Sequence, residues 1–164
     1  MAYYIEDAVP RQAVKIAELL HTSMENGPES AFKIDKERLL NHVLETITST
    51  DGFSVVLKHI DAFGYHEDEV VGCFMGAITH HAYANIYLAS ELGVYISVAH
   101  RGGENFEKML DAFIEWSFQK PDIGMTTFTI GQINATTPFI RKKLIERGFI
   151  KADESYYKRG MAYV

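Results

Sequence analysis

Cysteine is nearly absent: Cys73 stands alone in 164 residues, so no disulfide can form within the chain. It sits in the apolar run Val70 to Ile78 and reads as an inert buried thiol, which fits a reducing compartment. Long hydrophobic runs are missing too. None reaches the roughly 20 residues that a membrane-spanning helix needs. The first residues lack the basic stretch and apolar run of a secretory leader, so a cytoplasmic protein is expected. Positive charge is short: 16 Lys and Arg stand against 22 Asp and Glu, for a net charge of −6. That argues against a nucleic-acid or anionic-membrane partner, leaving only a small basic cluster at Arg141, Lys142 and Lys143. No metal is expected, because His80 and His81 are adjacent on an extended stretch and would face opposite ways. There is no P-loop, no G-x-G-x-x-G fingerprint, no internal repeat, no low-complexity tract and no linker.

What is present is an ordinary globular composition, 47% apolar and 23% charged, in a chain long enough for one domain over residues 1–164. Patterning predicts a strand over 2–8, a helix over 12–23 and a loop over 24–30. A second helix follows over 36–47 with Asp35 as N-cap, then a strand over 53–59. An acidic hairpin loop over 61–69 leads to a buried strand over 70–78, and residues 86–90 are left as extended or loop. Further on come a strand over 125–131, a helix over 139–147 stopped by Gly148, and a last strand over 154–163.

The organising stretch runs from Ser90 to Lys120. Leu92 to Val98 is β-branched and aromatic, so it reads as a strand with Glu91 at its start. Ala99-His100-Arg101-Gly102-Gly103 breaks it, and from Glu104 the period becomes helical, with Phe106, Met109, Leu110 and Phe113 on one face. A glycine turn between a strand and a helix is an anion site, because the first helical amides have no internal partner and glycine lets an anion approach. Arg101 adds a charged donor. A plain strand-to-helix connection is the competing reading.

This layout resembles the coenzyme A-binding motif of the GNAT N-acetyltransferase superfamily, whose usual pattern is Arg/Gln-x-x-Gly-x-Gly/Ala. Arg101 matches the first position, while Glu104 and Phe106 stand where small residues are usual and Val98 where proline is common. The Arg-Gly-Gly form is similar to that of divergent, phage-like members. Ile130-x-x-x-Asn134 resembles the end of the family's fifth strand, and Leu144 to Phe149 its Leu/Tyr-x-Lys-x-Gly-Phe ending. The resemblance implies an α/β (α+β) GNAT fold: a mixed, mostly antiparallel central sheet with splayed strands 4 and 5, flanked by helices.

It also implies transfer of an acyl group, normally acetyl, from acetyl-CoA to the amine of a small molecule or peptide. The pyrophosphate would lie on Arg101, Gly102, Gly103 and the amides of Glu104 and Asn105. The thioester carbonyl would meet main-chain N–H groups at Ile96, Ser97 and Val98, and Asn134 would lie near the far end of the pantetheine arm. Glu91 is the first candidate base, His81 or His80 the second. A leaving-group tyrosine is usual four residues before the Gly-Phe; that position is Leu144, so water, Tyr156 or Tyr157 would substitute, or the step needs no acid.

Blander readings remain beside these: a solvated strand-start carboxylate for Glu91, and structural roles for the histidines and tyrosines. The alternatives for the whole chain are a GNAT-fold protein that binds coenzyme A, or serves as an interaction or structural module, without catalysis, and the same fold acting on another acyl donor or a nucleobase. The acceptor and the oligomeric state stay open, with a homodimer among the options.

Overall fold

The computed structural model describes residues 2–25, 33–60, 69–130 and 137–151. Among them one sheet holds five strands in chain order: β1 (Ala2–Asp7), β2 (Gly52–Ile60), β3 (Glu69–His80), β4 (Tyr87–Ile96) and β5 (Ile123–Thr127). The first four pair antiparallel, and β5 joins β4 in parallel. The helices are α1 (Ala13–Glu25), α2 (Lys36–Thr48), α3 (Asn105–Phe118) and α4 (Thr137–Glu146).

Each helix buries an apolar stripe on the sheet, as its spacing requires. Ile16, Leu19 and Leu20 of α1 and Val43 of α2 pack with Val56, Cys73 and Met75. Phe106, Met109, Leu110 and Phe113 of α3 and Leu144 of α4 pack with Phe53, Val55, Leu57, Phe74, Ala89 and Ile96. Cys73 is fully enclosed, and burial pushes its thiol up to about 12, so it is protonated and unreactive near neutral pH.

Local signals set the ends. Asp35 caps α2 by accepting the Arg38 amide at 3.0 Å. After α4, Gly148 takes φ 81°, Phe149 N–H donates to the Leu144 carbonyl and Gly148 N–H to that of Ile145, both at 3.0 Å. That double bond pattern is a Schellman stop. Arg147 then ties α4 to α3, pairing with Asp111 and reaching Glu107 at 3.5 Å.

Several boundaries differ from the expectation. The central strand starts at Tyr87 and stops at Ile96, because Ser97 to Arg101 closes into a tight turn: the His100 amide donates to the Ser97 carbonyl and the Arg101 amide to that of Val98. Glu91 is therefore mid-strand. The fifth strand is Ile123–Thr127, earlier than 125–131, since parallel pairing with β4 begins at Tyr87 and Ile123. The last predicted strand lies outside the described residues.

Candidate active site

Two features of β4 mark a candidate site. The first is where its pairing stops. The parallel register runs from Tyr87↔Ile123 to Ser90↔Thr127, but β4 continues to Ile96. From Glu91 onward the two strands part. Ser90 and Thr127 close the joined part, with the Thr127 hydroxyl donating to the Ser90 hydroxyl at 3.0 Å.

The second feature is a bulge at that same point. Met75 pairs with Gly93 and Gly76 with Glu91, so Leu92 is an extra residue without a partner. The bulge bends β4 where the wedge opens. Glu91 reaches across the wedge, and its carboxylate accepts the backbone amide of Thr129. Burial raises its pKa to about 7, against the smaller opposing effect of that bond. A carboxylate so placed exchanges its proton near neutral pH.

Among the described residues no strand pairs with β4 on the β5 side beyond Ser90, and ladder geometry says which groups that edge leaves open. Ser97 N–H donates to the Val71 carbonyl of β3 at 2.8 Å. In an antiparallel ladder the N–H and C=O of one residue point to the same side, and the next residue's point to the other. Ile96, and Val94 two residues before it, therefore turn their main-chain groups away from β3 and toward the wedge.

Beyond β4 lies the glycine turn. Gly102 has φ 125° and Gly103 φ 57°, and a Cβ built on either would meet nothing within 4 Å. The turn borders an open cleft of about 490 Å³, lined also by Tyr3, His100, Glu104, Asn105 and Lys108. Asn105 is buried, and its side-chain N–H donates to the His100 carbonyl at 3.2 Å, holding the turn against the helix start. The Tyr3 hydroxyl lies 3.2 Å from His100 Nδ1 and ties β1 to the same turn.

No family model matches this chain, and no curated protein matches it in sequence. Solved structures do match in shape. A possible acetyltransferase from Clostridium difficile superposes with a TM-score of 0.69 at 15% identity, over 99% of this chain and 100% of that one. AAC(6')-Iy, in complex with the bisubstrate analogue CoA-S-monomethyl-acetylneamine, gives 0.67 at 12% identity, over 99% and 100%. The ribosomal-protein-alanine N-acetyltransferase of Brucella melitensis biovar Abortus gives 0.63 at 16% identity, over 98% and 100%. The chain has the GNAT fold.

Within that GNAT fold, the structure sorts the residues singled out by sequence. Glu91 stands in the wedge and Ile96 on the free edge. Arg101, Gly102, Gly103, Glu104 and Asn105 share the turn. Ser97 drops out as a main-chain donor, because its amide is held by Val71 and its carbonyl by His100. Val98 is an exposed turn residue rather than a strand residue. His81 lies past the end of β3, where Nδ1 accepts the Tyr83 amide at 3.1 Å. His80 pairs with Tyr87, four residues before Glu91, or roughly 13 Å along a strand. Neither histidine belongs to the wedge. Leu144 is a core residue of α4. Asn134, Tyr156 and Tyr157 lie outside the described residues.

Sequence reasoning missed Val94, Tyr3 and Lys108. Val94 follows from the alternation of N–H groups once the β3 register is known. Tyr3 is 97 residues from His100, and no local pattern joins them. The basic cluster also changes character: Lys143 bonds Glu107 at 3.0 Å and Glu146 at 3.1 Å, which holds its ammonium charged.

Proposed function

We propose that this protein is an acyl-CoA-dependent N-acyltransferase that moves acetyl from acetyl-CoA to an amine by direct attack in a ternary complex. The observation that carries the reading is the wedge itself. A carboxylate poised near neutral pH stands where β4 and β5 part, a free strand edge runs on from it, and an anion-compatible turn lies at the far end. From Glu91 to Ile96, where β4 ends, the strand spans roughly 17 Å, a distance suited to an extended arm joining a thioester to a pyrophosphate.

The residues fit coenzyme A by their donor set. Gly102 and Gly103 open the approach to the first amides of α3, which have no partner inside the helix. These amides, with Lys108 beside them, would hold the pyrophosphate. The cofactor's thioester supplies an activated acetyl group. Ile96 and Val94 present amides to the wedge and would steady negative charge on the thioester carbonyl oxygen. Glu91 would accept the proton that an incoming ammonium must lose, directly or through water. A base matched to the working pH is the efficient choice, and burial supplies that match. Leu144 offers no proton for the departing thiolate, so Tyr156 or water would serve. Soluble amines and peptide amines both remain candidate acceptors; the bisubstrate complex of AAC(6')-Iy is an instance of the fold holding a coenzyme A moiety and an amine-bearing ligand together.

A second reading, binding of coenzyme A without transfer, draws on Leu144 in the core and on Glu104 at the anion turn. One experiment separates them. Acetyl-CoA is titrated calorimetrically into the protein and into Gly103→Glu, and thiol release is then followed across an amine panel. Binding lost in the variant, with amine-dependent thiol release, is the expected result. Binding without release for every amine favours the second reading, and no binding by a folded protein overturns both.

A further inference from the structure

Arg101 is the one cation within the glycine turn; it borders the same cleft, but its Nε is engaged by β4. Nε donates to the Ile96 carbonyl at 2.9 Å. The guanidinium carbon lies 5.5 Å from the centre of the Tyr95 ring, within cation–π range. The Ile96 carbonyl and the Ser97 amide belong to one peptide unit. That unit is thus gripped from both sides, by Val71 through its N–H and by Arg101 through its C=O. On the wedge side β5 is no longer present, and Arg101 supplies the donor that a neighbouring strand would have supplied.

We propose that Arg101 is a positioning residue of the free β4 edge and not a ligand of the donor's phosphates. It fills the Ile96 carbonyl and so leaves the Ile96 amide and the Val94 main chain as the open register for an incoming amide-bearing arm. This rests on the acyl-CoA reading above. A free strand edge accepts partners in more than one register. Blocking one acceptor removes the slipped alternatives and aligns the thioester with Glu91.

Side-chain lengths make the test sharp. Gln places an amide nitrogen the same number of bonds from Cα as the Arg Nε, without charge. Lys keeps the charge but puts a methylene at that place. Affinities of wild type, Arg101→Gln and Arg101→Lys are measured for acetyl-CoA and for S-acetylpantetheine, which lacks the nucleotide and its phosphates. The expectation is a loss of about five- to tenfold for both donors in Arg101→Lys, the scale of one hydrogen bond, with Arg101→Gln within about twofold of wild type. The reverse ranking, or a loss confined to acetyl-CoA, makes Arg101 a phosphate ligand and overturns the proposal. Amide exchange of Ser97 in the donor-free proteins supplies a second readout. Faster exchange in Arg101→Lys than in Arg101→Gln supports the grip on the peptide even if wild type binds neither donor and the acyl-CoA reading fails. Equal exchange in all three proteins overturns it.

Discussion

The backbone amide of Thr129 donates to the carboxylate of Glu91 at the point where β4 and β5 separate. A parted strand leaves main-chain donors without a ladder partner, and here an acidic side chain takes one of them. The same contact fixes the carboxylate across the wedge. Burial then raises its pKa to about 7 more strongly than the single bond lowers it.

The first prediction is kinetic. With Glu91 as base, kcat/KM climbs with pH and levels above an apparent pKa near 7. Glu91→Gln is expected to lower the rate about 100-fold or more and to remove that limb. A pH–rate profile of thiol release in both proteins checks it, and an unchanged limb in the variant assigns the titration to another group.

The second concerns stability. The folded pKa of Glu91, about 7, lies above its ordinary value of 4.5, so the native state holds this proton more tightly than the unfolded chain. Its contribution is complete below pH 4.5 and is lost as the pH rises toward 7. Allowing for the solvent that still reaches the carboxylate, roughly 2 kcal/mol disappears across that window. Glu91→Gln should therefore gain on wild type as denaturant unfolding is moved from pH 5 to pH 8.

The glycine turn yields the third. Gly103 sits at φ 57°, where an L-residue costs about 1–2 kcal/mol, and it borders the proposed anion site. Gly103→Glu adds that strain and a negative charge. A drop of more than about tenfold in acetyl-CoA affinity is expected by calorimetry, with a thermal midpoint lowered by only a few degrees.

Gly76 carries the fourth. A Cβ there would lie 2.6 Å from Phe113 Cε2 and 3.1 Å from the Ser90 carbonyl oxygen. Phe113 is fully buried and stacks on Phe74 at 4.9 Å, so neither ring has room to yield. Gly76→Ala should cost about 1–3 kcal/mol in denaturant unfolding. It pairs with Glu91 across the bulge, so the rate should fall as well, and an unaltered rate would detach the bulge from the proposed chemistry.

Much of this architecture is a matter of local sequence. The short β-branched run Phe53 to Leu57, apolar toward both faces of the sheet, specifies a strand, and the stripe Phe106, Met109, Leu110, Phe113 a helix, whose spacing puts all four on one buried side. Asp35, Gly148 and the Arg101-Gly102-Gly103 turn end or begin elements through main-chain chemistry within a few residues. The order of elements through α4, and with it the likeness to acetyltransferases of this fold, was therefore legible in the chain. Tertiary structure decided the site. Glu91 looks like a strand-start carboxylate in sequence, and only the β3 register and the early end of the β5 ladder put it mid-strand in a wedge. Ser97 and Ile96 look equivalent until pairing with Val71 turns one inward and leaves the other free. Arg101 reads as an anion ligand in sequence, and only the fold brings the Ile96 carbonyl within 2.9 Å of its Nε. A proton affinity, a free amide and a hydrogen-bond partner each depend on which neighbours exclude water or complete a ladder. Those neighbours come from strands that only the folded sheet sets side by side.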